Sequence, residues 1–145
     1  MRIAVLQERA AGESRVAATP ETVKKFIALG ASVAVERGAG EGASILDAAY
    51  EEAGAELGLA QDVVKGADIV LAVRAPMAEA LKGAAKGAWV AATFDPFNER
   101  QCVADYAAAG LEALAMEFMP RITRAQSRSP AAPRHRHPSR TPWPR

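Results

Sequence analysis

Along the first 118 residues, short apolar runs alternate with segments whose apolar positions recur at helical spacing. Ile3-Ala4-Val5-Leu6 is bounded by charge, which predicts a strand over residues 2–6 buried on both faces of a parallel sheet. Residues 7–18 follow as a polar loop containing glycine. It is long for a strand-to-helix connection, and loops of that length tend to carry function. A helix opens at Thr19-Pro20-Glu21: Thr19 caps, Pro20 takes the first helical position, and Glu21 meets the positive end of the dipole. Val23, Phe26 and Ile27 make its buried stripe, Lys24 and Lys25 face water, and Gly30 stops it.

The alternation continues. Strands are predicted over residues 32–36, 55–59, 68–73, 88–94 and 111–118. Helices are predicted over residues 47–53, 61–66, 77–86 (around Leu81) and 98–109, the last carrying Val103 and Tyr106 with Gly110 as its stop. Strands and helices at this pitch predict an α/β fold with a doubly wound, mostly parallel sheet of flavodoxin-like or Rossmann-like kind.

Composition splits this chain in two. Half of the 145 residues are hydrophobic, enough for one domain with a core, and the single Cys102 excludes an internal disulfide and suits a reducing cytoplasm. No apolar run approaches the roughly 20 residues needed to span a bilayer, so no direct membrane insertion is expected. Residues 1–6 are too short for a signal peptide. Residues 128–145 hold five Arg, five of the nine Pro, both His and no acid. Without those five Arg, 13 basic residues face 17 acidic ones, so the net charge of +1 hides a mildly acidic body. Nucleic acid is therefore not an expected partner. The basic, proline-rich tail is expected to be disordered. Its Arg, Pro, Ala, Ser and His are also what a GC-rich gene yields out of frame, so a frameshift after Ser127 is the expectation.

Several positions are candidates for chemistry. Gly38-x-Gly40-x-x-Ala43 follows a strand and precedes a helix, as a dinucleotide fingerprint does, but the acidic strand end about 20 residues on is missing. A glycine-rich turn is the plainer reading. Arg15 in the long loop and Arg74 after the 68–73 strand fall where parallel strands end, and there a guanidinium offers a fork to a carboxylate or phosphate. Glu8, Arg9 and Glu13 share the loop with Arg15 and are its alternative partners. Asp95, ending the next strand, suits a general base or a helix cap. Cys102 is expected in the core, and no metal-ligand spacing is present.

Taken together, Arg2-Ile3-Ala4-Val5-Leu6-Gln7-Glu8-Arg9 and Gly12-Glu13-Ser14-Arg15-Val16-Ala17-Ala18-Thr19-Pro20-Glu21-Thr22-Val23 resemble the start of proton-translocating NAD(P) transhydrogenase alpha subunits. Glu36-Arg37-Gly38-Ala39-Gly40, Asp47-Ala48-Ala49-Tyr50, Ala67-Asp68-Ile69-Val70 and Pro120-Arg121-Ile122-Thr123-Arg124-Ala125-Gln126-Ser127 continue the resemblance. It covers residues 1–127, the expected N-terminal domain in incomplete form. The related alanine dehydrogenases start similarly, but carry a catalytic Lys near position 74 and a His near position 95, where this chain has Arg74 and Asp95.

The resemblance implies hydride transfer from NADH to NADP⁺ coupled to proton movement, with NAD(H) as cofactor and Arg121 and Gln126 near the nicotinamide as catalytic and cofactor-binding residues. It implies NADP-binding and membrane subunits and a second alpha subunit as partners, with a cytoplasmic location peripheral to the membrane. Beyond Ser127 the family pattern is lost and the NAD-binding Rossmann domain is missing, so the resemblance implies an inactive fragment. Two other readings stand beside it. One is an alanine dehydrogenase-like enzyme gripping a small 2-oxo acid through Arg15 and Arg74. The other is a non-catalytic flavodoxin-like module whose basic tail docks on an acidic partner.

Overall fold

The computed structural model describes residues 1–119, and in them the alternation becomes one six-stranded sheet. The strands are β1 (Arg2–Val5), β2 (Ser32–Glu36), β3 (Glu56–Gly58), β4 (Ile69–Arg74), β5 (Trp89–Thr93) and β6 (Glu112–Ala115). Their order is β3-β2-β1-β4-β5-β6, and every pair is parallel. This is the strand order of the Rossmann type, not the flavodoxin-like 2-1-3-4-5, and the switch point lies between β1 and β4. Ile3 stands between Val33 and Ile69, and Val5 between Val35 and Leu71, which explains why the opening run is apolar throughout.

The helices are α1 (Pro20–Ala28), α2 (Asp47–Glu52), α3 (Ala60–Val64) and α4 (Arg100–Ala108). Thr19 caps α1 by accepting the Thr22 N–H, Pro20 opens it, and Gly30 follows it at φ +87°. Right-handed crossovers put helices on opposite faces once the strand order reverses. Val23 of α1 and Tyr50 of α2 accordingly pack with Ile3, Val5, Val33 and Val35 on one face. On the other face, Val63 and Val64 of α3, Tyr106 of α4, and Leu81 pack with Val70, Ala72, Val90 and Ala92.

Two predicted elements are corrected. Residues 77–86 form only a 3-10 turn, Ala78–Leu81, not a helix. Gly83 at φ +103° breaks it, and the flanking backbone bonds across to the α3–β4 connection instead: Gly66 N–H donates to Gly83 O and Ala85 N–H to Ala67 O. The last strand stops at Ala115, and Met116–Phe118 coil into a second such turn. The tail at 128–145 lies outside the described residues, as do Arg121 and Gln126.

Candidate functional site: a cleft at the carboxyl ends of β4 and β5

The glycine-rich turn is structural. The N–H groups of Gly38, Ala39, Glu41 and Ala43 are all taken within the protein, Gly38 by the Asp47 carboxylate at 2.9 Å. Gly40 is required by packing, since a Cβ there would meet Ile45 O at 2.6 Å and Tyr50 at 2.9 Å. These donors face no ligand.

The loop after β1 is organised by its own carboxylates. Glu8 reaches across the switch point and accepts the N–H groups of Val73 and Arg74 at 2.5 and 3.1 Å. Arg9 pairs at 2.5 Å with Glu36, a carboxylate only 6 % exposed at the end of β2 that also accepts the Gln7 N–H. Burying that charge is tolerable because both oxygens are bonded. With Glu8 and Arg9 so engaged, Glu13 becomes the partner of Arg15.

Arg15 and Arg74 meet on one cleft of about 560 Å³, whose wall includes Thr93, Asp95, Cys102 and Glu117. Between the two arginines lies Glu13, whose side chain is 7 % exposed. It accepts Arg15 Nε at 2.7 Å and Nη2 at 2.6 Å, and lies 3.9 Å from Arg74 Nε. The Arg15 guanidinium holds the Glu13 carboxyl at about 2, far below the ordinary 4.5, helped by the Arg15 backbone N–H. The same pairing raises Arg15 further above its ordinary value. Both arginines are largely exposed, at 68 % and 61 % of the side chain, so their outer faces remain open to a ligand.

The far wall is the turn after β5. Thr93 Oγ1 donates to Val73 O at 2.6 Å, tying β5 to β4 beside the cleft. Asp95 sits in the left-handed region at φ +46°, and its carboxylate takes the Asn98 amide. It is therefore no helix cap: α4 starts later, at Arg100, with no side-chain cap at Glu99. Glu117, from the turn after β6, accepts the N–H groups of both Phe94 and Asp95 at 2.5 Å. Burial raises its pKa, but the backbone N–H groups of Asp95, Glu117 and Phe94 outweigh that and leave it lowered. Cys102 is only half-buried at the rim, not in the core, and burial with nearby Asp105 and Glu99 raises its thiol pKa.

Sequence reading singles out Arg15, Arg74 and Asp95 here but misses the roles of Glu8, Glu36 and Glu117. Each acts on backbone or side chains at least 22 residues away, and no local spacing signals that. Among the described residues no group of His, Cys, Asp and Glu could hold a metal, and no helix is long and apolar enough to cross a membrane.

A doubly wound parallel sheet of this strand order, with a two-arginine cleft beside its switch point, is an α/β domain built to meet small anionic ligands at its carboxyl edge. The chain belongs to the family described as alanine dehydrogenase/PNT, N-terminal domain, whose model matches residues 4–132. It is 41 % identical over 133 residues to an NAD(P) transhydrogenase alpha subunit of Rhodospirillum rubrum, covering 88 % of this chain and 35 % of that protein. A crystal structure of transhydrogenase from Sinorhizobium meliloti superposes with a TM-score of 0.81 at 46 % identity, covering 88 % of this chain and 36 % of that one. Alanine dehydrogenase of Mycobacterium tuberculosis is 42 % identical over 79 residues, 54 % of this chain and 21 % of that protein. The chain thus spans about a third of the length of the R. rubrum subunit, which it matches along most of its own.

Proposed function

We propose that residues 1–127 are the N-terminal portion of a transhydrogenase alpha-type subunit. The full assembly would transfer hydride from NADH to NADP⁺ and move protons through membrane partners. The observation that carries this reading is the extent of the likeness. It runs along 88 % of the chain to the R. rubrum subunit, against 54 % to the alanine dehydrogenase. Arg74 and Asp95, in place of the Lys and His implied for alanine dehydrogenases, agree with it. In this reading Arg121 and Gln126 stand near the nicotinamide of NAD(H). The partners are NADP-binding and membrane subunits and a second alpha subunit, which keep the protein peripheral to the membrane on the cytoplasmic side. The 145-residue chain by itself transfers no hydride, and residues 128–145 are an out-of-frame tail. Reading the other two frames of the gene beyond codon 127 checks the last point: a frame continuing the family pattern is expected, and its absence from both would remove the idea.

Calorimetric titration with NAD tests the main reading. Little or no heat is expected from the chain alone. Saturable tight binding would mean that a complete nucleotide site is present. A second reading is favoured by one specific feature, the convergence of Arg15 and Arg74 on one cleft around Glu13. There the domain binds a small 2-oxo acid, and titration with pyruvate is the direct check. Arg15→Ala and Arg74→Ala should each weaken such binding roughly tenfold, the worth of one charge-assisted hydrogen bond.

A further inference from the structure

The carboxylate of Glu117 arrives from the opposite end of the β5–α4–β6 unit to bind two successive backbone N–H groups in the cleft wall. One of the two belongs to Asp95, a non-glycine residue in the left-handed region. Two adjacent N–H groups, one from a left-handed residue, make a concave donor pair suited to a single anionic oxygen. Here that oxygen is Glu117 Oε1. Among the described residues, no other hydrogen bond from across the sheet restrains the Asp95 backbone. Its own carboxylate bonds only locally to Asn98, and its carbonyl accepts the N–H groups of Asn98 and Glu99. Glu117 also stands two residues before Met119, where the chain leaves for the Pro120–Ser127 block.

We propose that Glu117 is a positioning residue for the cleft: its carboxylate clamps the Phe94 and Asp95 N–H groups, holds Asp95 left-handed, and so fixes the wall facing Arg15 and Arg74. It touches no ligand itself. The same clamp seats the exit of β6 on the cleft rim, so the wall and the approach to the Arg121–Gln126 block are tied to one carboxylate. The clamp does not depend on which ligand the cleft takes. Only the pyruvate arm of its test rests on the small-acid reading above.

The test compares Glu117→Ala and Glu117→Gln with the parent chain by amide NMR, acetate addition and pyruvate titration. Short bonds to a carboxylate should put the Phe94 and Asp95 amide protons well downfield in the parent. Glu117→Ala should move both upfield, whereas Glu117→Gln, whose amide oxygen still accepts, should hold them between the two. Acetate should restore the shifts in Glu117→Ala and leave the parent unchanged, because the vacated donor pair accepts a free carboxylate. A general structural role would not respond to acetate. Pyruvate affinity should fall roughly tenfold in Glu117→Ala and much less in Glu117→Gln. Amide shifts indifferent to Glu117→Ala, or restored by neither Gln nor acetate, would overturn the proposal. A parent chain that ignores pyruvate would remove the small-acid reading while the amide and acetate arms still decide the clamp.

Discussion

Glu13 shows how one side chain can govern a site at residue scale. It lies between two guanidinium groups and is ionised far below the ordinary range, at about 2 against 4.5. Its folded form therefore favours the charged state. Whatever it contributes is full above pH 4.5, fades as pH falls towards 2, and is gone below that. A pH titration followed by the carboxyl carbon shift of Glu13 should show a midpoint near 2, and a midpoint near 4.5 would mean that the Arg15 pair does not persist in solution. Gly40 makes a second residue-scale case. A methyl group there collides with backbone and with Tyr50, so Gly40→Ala should cost about 1–3 kcal/mol in urea unfolding. Tyr50 itself donates to Ala18 O at 2.8 Å while buried, and Tyr50→Phe should cost about 1 kcal/mol or more. These contacts are not legible in sequence. Gly38-x-Gly40-x-x-Ala43 has the spacing of a phosphate-binding turn, and only the long-range positions of Asp47, Ile45 and Tyr50 show that its space and donors are already used.

At the scale of elements, local rules predict best where the local signal is complete. α1 has a cap, a proline at its first position, an acid in the first turn and a glycine after it, and it forms where expected. Thr19→Ala should lower stability by about 1 kcal/mol, and Thr19→Ser should restore most of it in the same denaturation assay. Residues 77–86 have no such signals, only Leu81 and a run of alanines and lysines, and Gly83 in their midst. There the better partners are the carbonyls and N–H groups of the α3–β4 connection, so helix propensity loses to tertiary hydrogen bonds. The same holds at β6. Its apolar run continues to Phe118, but pairing with β5 ends at Ala115, and the chain coils to bring Glu117 to the end of β5.

For the whole molecule, the crossovers leave part of one sheet face bare. α1 and α2 cover the β1–β3 half of their face, and no described helix covers its β4–β6 half. Trp89 and Leu114 point out there at 52 % and 42 % exposure, alongside Leu71 and Ala91 on the same face of the sheet. Apolar surface of this kind drives association in water. Sedimentation of the chain should show concentration-dependent self-association, and Trp89→Ser with Leu114→Ser should shift it towards monomer. Unchanged sedimentation in the double variant would mean that this face is not the one used.

The sequence by itself determined the class of fold, the run of strands, the best-capped helix and the family, because these depend on periodicity, caps and residue identities read locally. It also put Arg15 and Arg74 near strand ends. Only the tertiary structure decided that they share a cleft, that Glu13 binds Arg15 and approaches Arg74, and that Glu8, Glu36 and Glu117 serve backbone and charge across the sheet. The physical reason is distance along the chain. A carboxylate meets its partner 22 to 66 residues away only once parallel pairing has set the strands in register, and no local pattern encodes that meeting.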